Sequence, residues 1–363
     1  MTFFLAFLLC AGVLAELLSL RAGLKRISFD YRPDKELAEQ GEQIPVCMEV
    51  KNTGILPVSY LLVKAHVPFA ARIPEDIPSE KEQFQQTANS VFRMWGKEGR
   101  RRTVPITIEK RGVHYFRGAH LESTDFAGLR KVWDFYDRQE QVFIYPRAME
   151  SKDLISTMGQ YYGDMIAQRH LLRDPILTAG IREYTGAEPM KTISWSQSAR
   201  RGQMMVRDFE FIRDLSCTVL LMADGIMPTQ VQKLDRCCSI VRTVCREMTD
   251  KGVNVDFYTN CPMEGFGIQT GPVWKCVATQ KDQWELLRGL ALLAPSPVRC
   301  AADLMAVRAA RAMGQRSAFV IVAPFENEAV LRAKRVLEEA SGVRVVLILE
   351  SEYSDSAQKG GNG

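Results

Sequence analysis

The sequence predicts two folded units behind an apolar N-terminal helix: a small antiparallel β-sandwich, and then an α/β unit built on a parallel sheet. Three observations carry this expectation. Apolar residues alternate with polar ones in short runs between Ile27 and Tyr145, the period of half-buried strands. From Cys217 onward, short β-branched runs alternate with stretches of helical spacing, the order that builds a parallel sheet with helices on its faces. Before both, Phe3–Leu20 is an apolar run whose only charge is Glu16.

That first run covers roughly 27 Å as a helix at about 1.5 Å per residue, close to a hydrocarbon core of about 30 Å. Arg21, Lys25 and Arg26 follow it, and no small-x-small cleavage pattern is evident. The expectation is an uncleaved single-pass anchor (residues 1–26) with the rest of the chain on the cytoplasmic side, because basic flanks stay inside. A helix lying on the membrane is the alternative.

Residues 27–148 are assigned to the sandwich. Ile27, Phe29 and Tyr31 alternate, as do Ile44, Val46, Met48 and Val50; Asn52-Thr53-Gly54 makes a turn, and Leu61, Val63, Ala65 and Val67 resume before Pro68. After a loop from Pro74 to Asn89, strands return at Val104–Ile108, Val113–Phe116 and Gln141–Tyr145. Residues 149–180 read as a linker with at most short helices. Residues 214–352 carry the α/β unit: a strand at Cys217–Ala223, a helix from Thr229, strands at Val253–Phe257, Ala318–Val322 and Val343–Leu349, and helices near Asp282–Leu293, Ala301–Met313 and Glu326–Ala340. The polar, Gly-rich tail 353–363 is expected to be disordered.

A net charge of +4, with 46% hydrophobic and 25% charged residues, is that of an ordinary globular chain and gives no basic stripe for nucleic acid. Arg100, Arg101 and Arg102 read as a solvated turn, with contact to lipid phosphate as the alternative. Nine cysteines without CxxC spacing fit reduced thiols, and Cys237, Cys238 and Cys245 fit core packing.

Residues 181–213 follow neither period. Arg182, Tyr184, Lys191, Trp195, Ser198, Arg200 and Arg207 set cationic and aromatic groups among small residues, a mixture suited to guanidinium stacking and carboxylate binding. The stretch reads as a junction between the units and a candidate binding surface. Core anchoring by Trp195 is the structural alternative.

The order Arg182-Glu183-Tyr184, Gly186 with Glu188, Ile193-Ser194-Trp195, Ser198-Ala199-Arg200 and Met205-Val206-Arg207 resembles the signature of the bacterial domain of unknown function 58 family. The chain departs from it at Ala187, Lys191 and Ser194, where the family often has Asp, Arg and His. The resemblance implies an immunoglobulin-like sandwich, including the Asp125–Leu129 turn, and a C-terminal unit similar to a von Willebrand factor A domain. It also implies association with a MoxR-type AAA+ ATPase.

In such a domain the first strand ends in D-x-S-x-S and helps to hold magnesium. Here Asp224 is followed by Gly225, Ile226, Met227 and Pro228, so the two hydroxyls are replaced and the site reads as degenerate. No metal or cofactor is expected; residual magnesium at Asp224 is the alternative. Neither G-x-S-x-G, H-E-x-x-H nor G-x-x-x-x-G-K-[ST] occurs. The sequence therefore points to a membrane-anchored interaction or adaptor protein, with a metal-dependent enzyme using Asp224 as the alternative.

Overall fold

The computed structural model describes residues 3, 4, 7, 24–82, 85–124, 131–171, 173–186, 190–211, 216–263, 273–295, 297, 300–313, 318–342 and 344–353. They divide into two compact units, Met1–Arg147 with Leu287–Leu292, and Ala148–Leu286 with Leu293–Gly363.

The first unit is a β-sandwich. A 3-10 turn (Leu24–Arg26) leads into β1 (Ile27–Pro33), β2 (Leu37–Glu39), β3 (Gln43–Asn52), β4 (Val58–Val67), β5 (Ala71–Arg72), β6 (Ser79–Lys81), β7 (Gln86–Met94), β8 (Gly99–Ile108), β9 (Gly112–Thr124) and β10 (Lys131–Tyr145). One sheet runs β1-β3-β8-β5 and the other β2-β10-β9-β4-β7-β6. The alternation in the sequence is what closes them together, because alternate side chains point to one face. Tyr31, Ile44, Val46, Met48, Leu61, Val63, Ile106, Phe116, Val142 and Ile144 share one buried core. Pairing is antiparallel except where the short β2 joins β10 in parallel.

The second unit starts with α1 (Lys152–Leu171), then β11 (Arg173–Glu183), a 3-10 turn (Met190–Thr192), α2 (Trp195–Arg201) and β12 (Met205–Phe211). It continues with β13 (Ser216–Leu221), α3 (Val231–Asp250), β14 (Asn254–Thr259), β15 (Trp274–Ala278), α4 (Trp284–Leu292, of which Leu287–Leu292 group with the first unit), α5 (Ala302–Met313), β16 (Ala318–Ala323), α6 (Glu328–Ser341), β17 (Val346–Leu349) and α7 (Glu350–Tyr353). Its sheet has the order β15-β14-β13-β16-β17. β13, buried from Cys217 onward, and the all-buried β16 pair in parallel, as the apolar continuity of Cys217–Ala223 and Ala318–Val322 requires of strands covered on both faces. Met305, Ala306 and Ala309 of α5 and Val330, Ala333 and Leu337 of α6 share a core with Leu220, Phe319 and Ile321. α3 buries Leu234, Cys237, Cys238, Val241, Cys245 and Met248, the face its 3.6-residue spacing sets out.

The fold class expected from the sequence is corrected by this structure. Strand predominates, and the described residues form four sheets rather than one sandwich and one parallel sheet. The C-terminal sheet is mixed, because β15 runs antiparallel to β14 at its edge. This five-residue edge strand exposes Lys275 and Val277, whereas β13 exposes no residue. A separate antiparallel pair, β11 and β12, occupies the stretch read as linker and junction. As for the membrane helix, no helix among the described residues is long and apolar enough to cross a membrane. The expected run Phe3–Leu20 lies outside the described residues except for Phe3, Phe4 and Phe7.

Further differences are local. Residues 149–180 contain the 20-residue α1, which is tied down by packing and hydrogen bonds that the sequence does not display. Met149 N–H donates to Thr243 Oγ1 (2.7 Å), and Tyr161 Oη donates to Phe319 O (3.0 Å). The Pro74–Asn89 loop contains β6 and the start of β7. Thr229 does not cap α3, whose N-cap is Gln230 without a side-chain bond. The Asp125–Leu129 turn and tail residues 354–363 lie outside the described residues. The eight cysteines among the described residues are buried and form no disulfide.

Candidate functional site

β13 has β14 on one side and β16 on the other, so the chain leaves it in one direction and returns on the other flank. Loops diverge at such a point, beyond the carboxyl ends of the strands, and leave a crevice. Asp224 stands there, and the structure shows what its carboxylate does. Oδ1 accepts from the Ala302 N–H at the start of α5 (3.2 Å), and Oδ2 accepts from Asn260 Nδ2 (2.6 Å). A carboxylate at a helix N-terminus meets unpaired amides and the positive end of the helix dipole.

Asn260, only 2% exposed, is the centre of this arrangement. Its Oδ1 accepts from Ala223 N–H (2.9 Å), and its Nδ2 also donates to Cys300 O (2.8 Å). Asn327 caps α6 through Val330 N–H (2.8 Å) and reaches Asp224 O at 3.4 Å. Of the residues near Asp224, Ile226 is buried, while Met227 and Pro228 are exposed. Gly225, at φ +83°, lies against Phe325, where an added Cβ would fall 2.6 Å from the ring. Among the described residues no group of three or more His, Cys, Asp or Glu could hold a metal ion. Both Asp224 oxygens being committed, magnesium titrated calorimetrically into the purified chain is expected to show no Asp224-dependent heat; micromolar uptake lost in Asp224→Asn would contradict this. Cys261, beside the crevice, is buried with its thiol donating to Ala294 O (3.4 Å), which is not the posture of an exposed nucleophile.

Residues 184–204 form an excursion between β11 and β12, closed at its base by Tyr184 N–H to Met204 O (2.9 Å) and Ser194 N–H to Met205 O (2.8 Å). The seven-residue α2 is too short to stand by propensity alone. Ser198 pins it: its Oγ donates to Ser194 O (2.9 Å) and accepts from Met205 N–H (2.8 Å). Gly202, left-handed at φ 72°, closes the helix onto Ser198 O. Ile193, Ser194, Met205 and Val206 are buried beneath it.

The remaining sequence-selected residues do not form a buried junction. Trp195 is 61% exposed, and Lys191, Arg200 and Arg201 are exposed as well. Arg182 and Tyr184 are half-buried, with Arg182 Nη1 donating to Glu183 O (3.3 Å). Arg207 pairs with Ile181 in the β11–β12 ladder. Glu188 lies outside the described residues. Core anchoring by Trp195, the structural alternative, is not what the structure shows: the indole faces solvent while Ile193 and Ser194 are buried.

Sequence reasoning missed two arrangements. Asn260, one residue past a parallel strand, was marked only by its polarity after Val255–Tyr258. In the first unit, a cleft of about 500 Å³ is lined by His66, Phe69, Gln86, Arg117, His120 and Phe135, which strand register brings together. The rings of His66 and His120 lie 5.0 Å apart. Burial lowers the pKa of His66 from its ordinary 6.5, with the neighbouring His120 adding to the effect, and burial also lowers that of His114. Because the folded values are depressed, the unfolded chain takes up protons first as pH falls, so this contribution is complete above about 6.5 and is lost progressively below it. The sandwich should therefore be easier to unfold with urea on acidification, and His66→Gln or His114→Gln should flatten the dependence. An unchanged pH slope in both variants would contradict this.

No family model matches the chain. An uncharacterized protein, YeaD of Bacillus subtilis strain 168, is 25% identical over 222 residues, which is 60% of this chain and 52% of that protein. The chain thus spans about half the length of the curated relative it matches. Among solved structures, the CARDB domain of the PF1109 protein of Pyrococcus furiosus, in complex with di-metal ions, aligns with 32% of this chain and 91% of its own, at 12% identity and TM-score 0.22. A non-cellulosomal cohesin from Archaeoglobus fulgidus aligns over the same shares at 14% identity and TM-score 0.23.

Proposed function

We propose that the chain is an interaction protein, whose β11–β12 excursion presents Trp195 and Arg200 to a partner protein. The supporting observation is that Trp195 is exposed on a helix held by Ser198, Gly202 and the Met205 amide, so the indole is displayed from an ordered platform. Met190 and Met204 are also exposed on the same excursion. Trp, Met and Arg are the side chains enriched in protein interfaces, and a preorganised indole loses little entropy on docking. The sandwich serves as an immunoglobulin-like interaction domain in this reading. The Asp224 crevice supports it from the other direction, because that carboxylate is occupied in joining strand ends to α5 and is not offered to a substrate.

The partner is a MoxR-type AAA+ ATPase, the class that the resemblance of residues 182–207 implies, acting with this chain in the assembly or maturation of other proteins. A photo-crosslinking amino acid at position 195 of the full chain, activated in cells, tests the reading. The expected product is a covalent adduct with such an ATPase. Adducts confined to the chain itself, with none to any other protein, would refute a partner surface at Trp195.

A further inference from the structure

We propose that the end of the sandwich formed by the turns at residues 52–57 and 95–98 is a lipid-contact surface, which sets Ile55 and Trp95 into the headgroup region of an anionic membrane. This inference does not rest on the partner reading above.

Ile55 is 76% exposed and Trp95 74% exposed, on adjacent turns. They are held there. Asn52, buried, donates from Nδ2 to Leu56 O (2.8 Å) and to Trp95 O (3.0 Å), while its Oδ1 accepts from Gly54 N–H (2.9 Å). Lys97 N–H donates to Gly54 O (2.8 Å). Gly96 approaches so closely that a Cβ on it would fall 1.9 Å from Ile55 O. Two turns locked by a buried amide are not frayed ends, so the exposure of a large aliphatic and an indole side by side is built in. Indole rings favour the boundary between water and hydrocarbon, where the ring is buried and the N–H stays hydrated.

The charge around the tip selects the surface. Lys25, Arg26 and Lys97 are exposed and have no carboxylate partner among the described residues. Glu98 is engaged by Arg100 (2.6 Å) and by Trp95 N–H (2.8 Å). An exposed apolar pair beside cations that have no carboxylate partner among the described residues complements anionic headgroups. Chain continuity points the same way. Arg26 O is fixed to the tip by Thr53 N–H (2.8 Å) and Thr53 Oγ1 (2.6 Å), and the apolar sequence run ends at Leu20. Six residues of extended chain reach about 20 Å, so the end of that run stays within this distance of Arg26 along any path.

The test uses the full chain with vesicles of phosphatidylglycerol and phosphatidylcholine carrying bromine on their acyl chains, and takes the Trp95 signal as wild type minus Trp95→Phe. Bromolipid is expected to quench most of that signal, aqueous iodide to lose access to it, and Ile55→Glu to reduce the bromolipid quenching several-fold with the thermal midpoint unchanged. The proposal is overturned if Trp95 stays open to iodide and untouched by bromolipid, if the chain does not associate with the vesicles, if phosphatidylcholine alone quenches equally well, or if Trp95 is shielded only when a second protein is added.

Discussion

Asn260→Ala is expected to destabilise the second unit by about 3–5 kcal/mol, a large part of a domain stability of about 5–15 kcal/mol. The side chain makes three hydrogen bonds in a buried setting, to Ala223 N–H, Asp224 Oδ2 and Cys300 O. Each buried group left without a partner costs about 1–3 kcal/mol, and a water entering the space recovers part of this. The loss would be read in urea unfolding of the purified chain. Asn260→Asp sharpens the result. It keeps an acceptor for Ala223 N–H but faces Asp224 with a second carboxylate, so one of the two is held protonated and its folded pKa rises above the unfolded value. Stability contributed by that proton is present at low pH and lost as pH rises through the raised pKa, so Asn260→Asp should recover on acidification where Asn260→Ala does not. Wild-type stability in Asn260→Ala would show that the crevice is not held by this side chain.

Gly118→Val should cost the sandwich about 2–5 kcal/mol, from two sources that add at one position. Gly118 lies where the β9–β10 register shifts between Tyr136 and Gln139, with φ +66°, and a Cβ there would stand 2.0 Å from Tyr136 O. A left-handed non-glycine residue costs about 1–2 kcal/mol, and forcing backbone apart in a packed sheet adds about 1–3 kcal/mol. Gly252→Ala separates the two, since its φ is +77° with nothing within 4 Å of the added carbon. It should cost only about 1–2 kcal/mol. Equal losses in both variants would mean that the bulge is not strained by the close approach of Tyr136 O.

These two residues also show where the sequence was legible. The inward faces of β1, β3, β4 and β8 could be read directly, because half-buried strands write their period into residue choice; Ile44, Val46, Met48 and Val50 are an example. The helical face of α3 was legible for the same reason. What stayed hidden depends on partners distant in the chain. Nothing local to Pro146–Asp174 marks α1, which is tied down by Thr243 just before its start and by Phe319 at its middle. β15 escaped notice because an edge strand of five residues with two exposed positions carries little pattern. At the candidate sites, the residue types of 182–207 stood out, but their exposure did not, since a Trp in sequence does not reveal which side of a short helix it takes. Asp224 was visible at a strand end, whereas its partners Asn260, Ala302 and Asn327 come from three places distant in the chain: the end of β14, the start of α5 and the N-cap of α6.

The central claim is that Trp195 and Arg200 bind a partner and do not hold the fold. The direct measurement compares wild type with the Trp195→Ala, Arg200→Ala double variant of the full chain, reading the thermal midpoint and the affinity for a purified MoxR-type ATPase in the same preparation. With both side chains exposed, the midpoint should be unchanged, while affinity should fall at least about tenfold, the equivalent of 1.4 kcal/mol at one hot spot. A lowered midpoint with affinity intact would contradict the account and return the stretch to a purely architectural role.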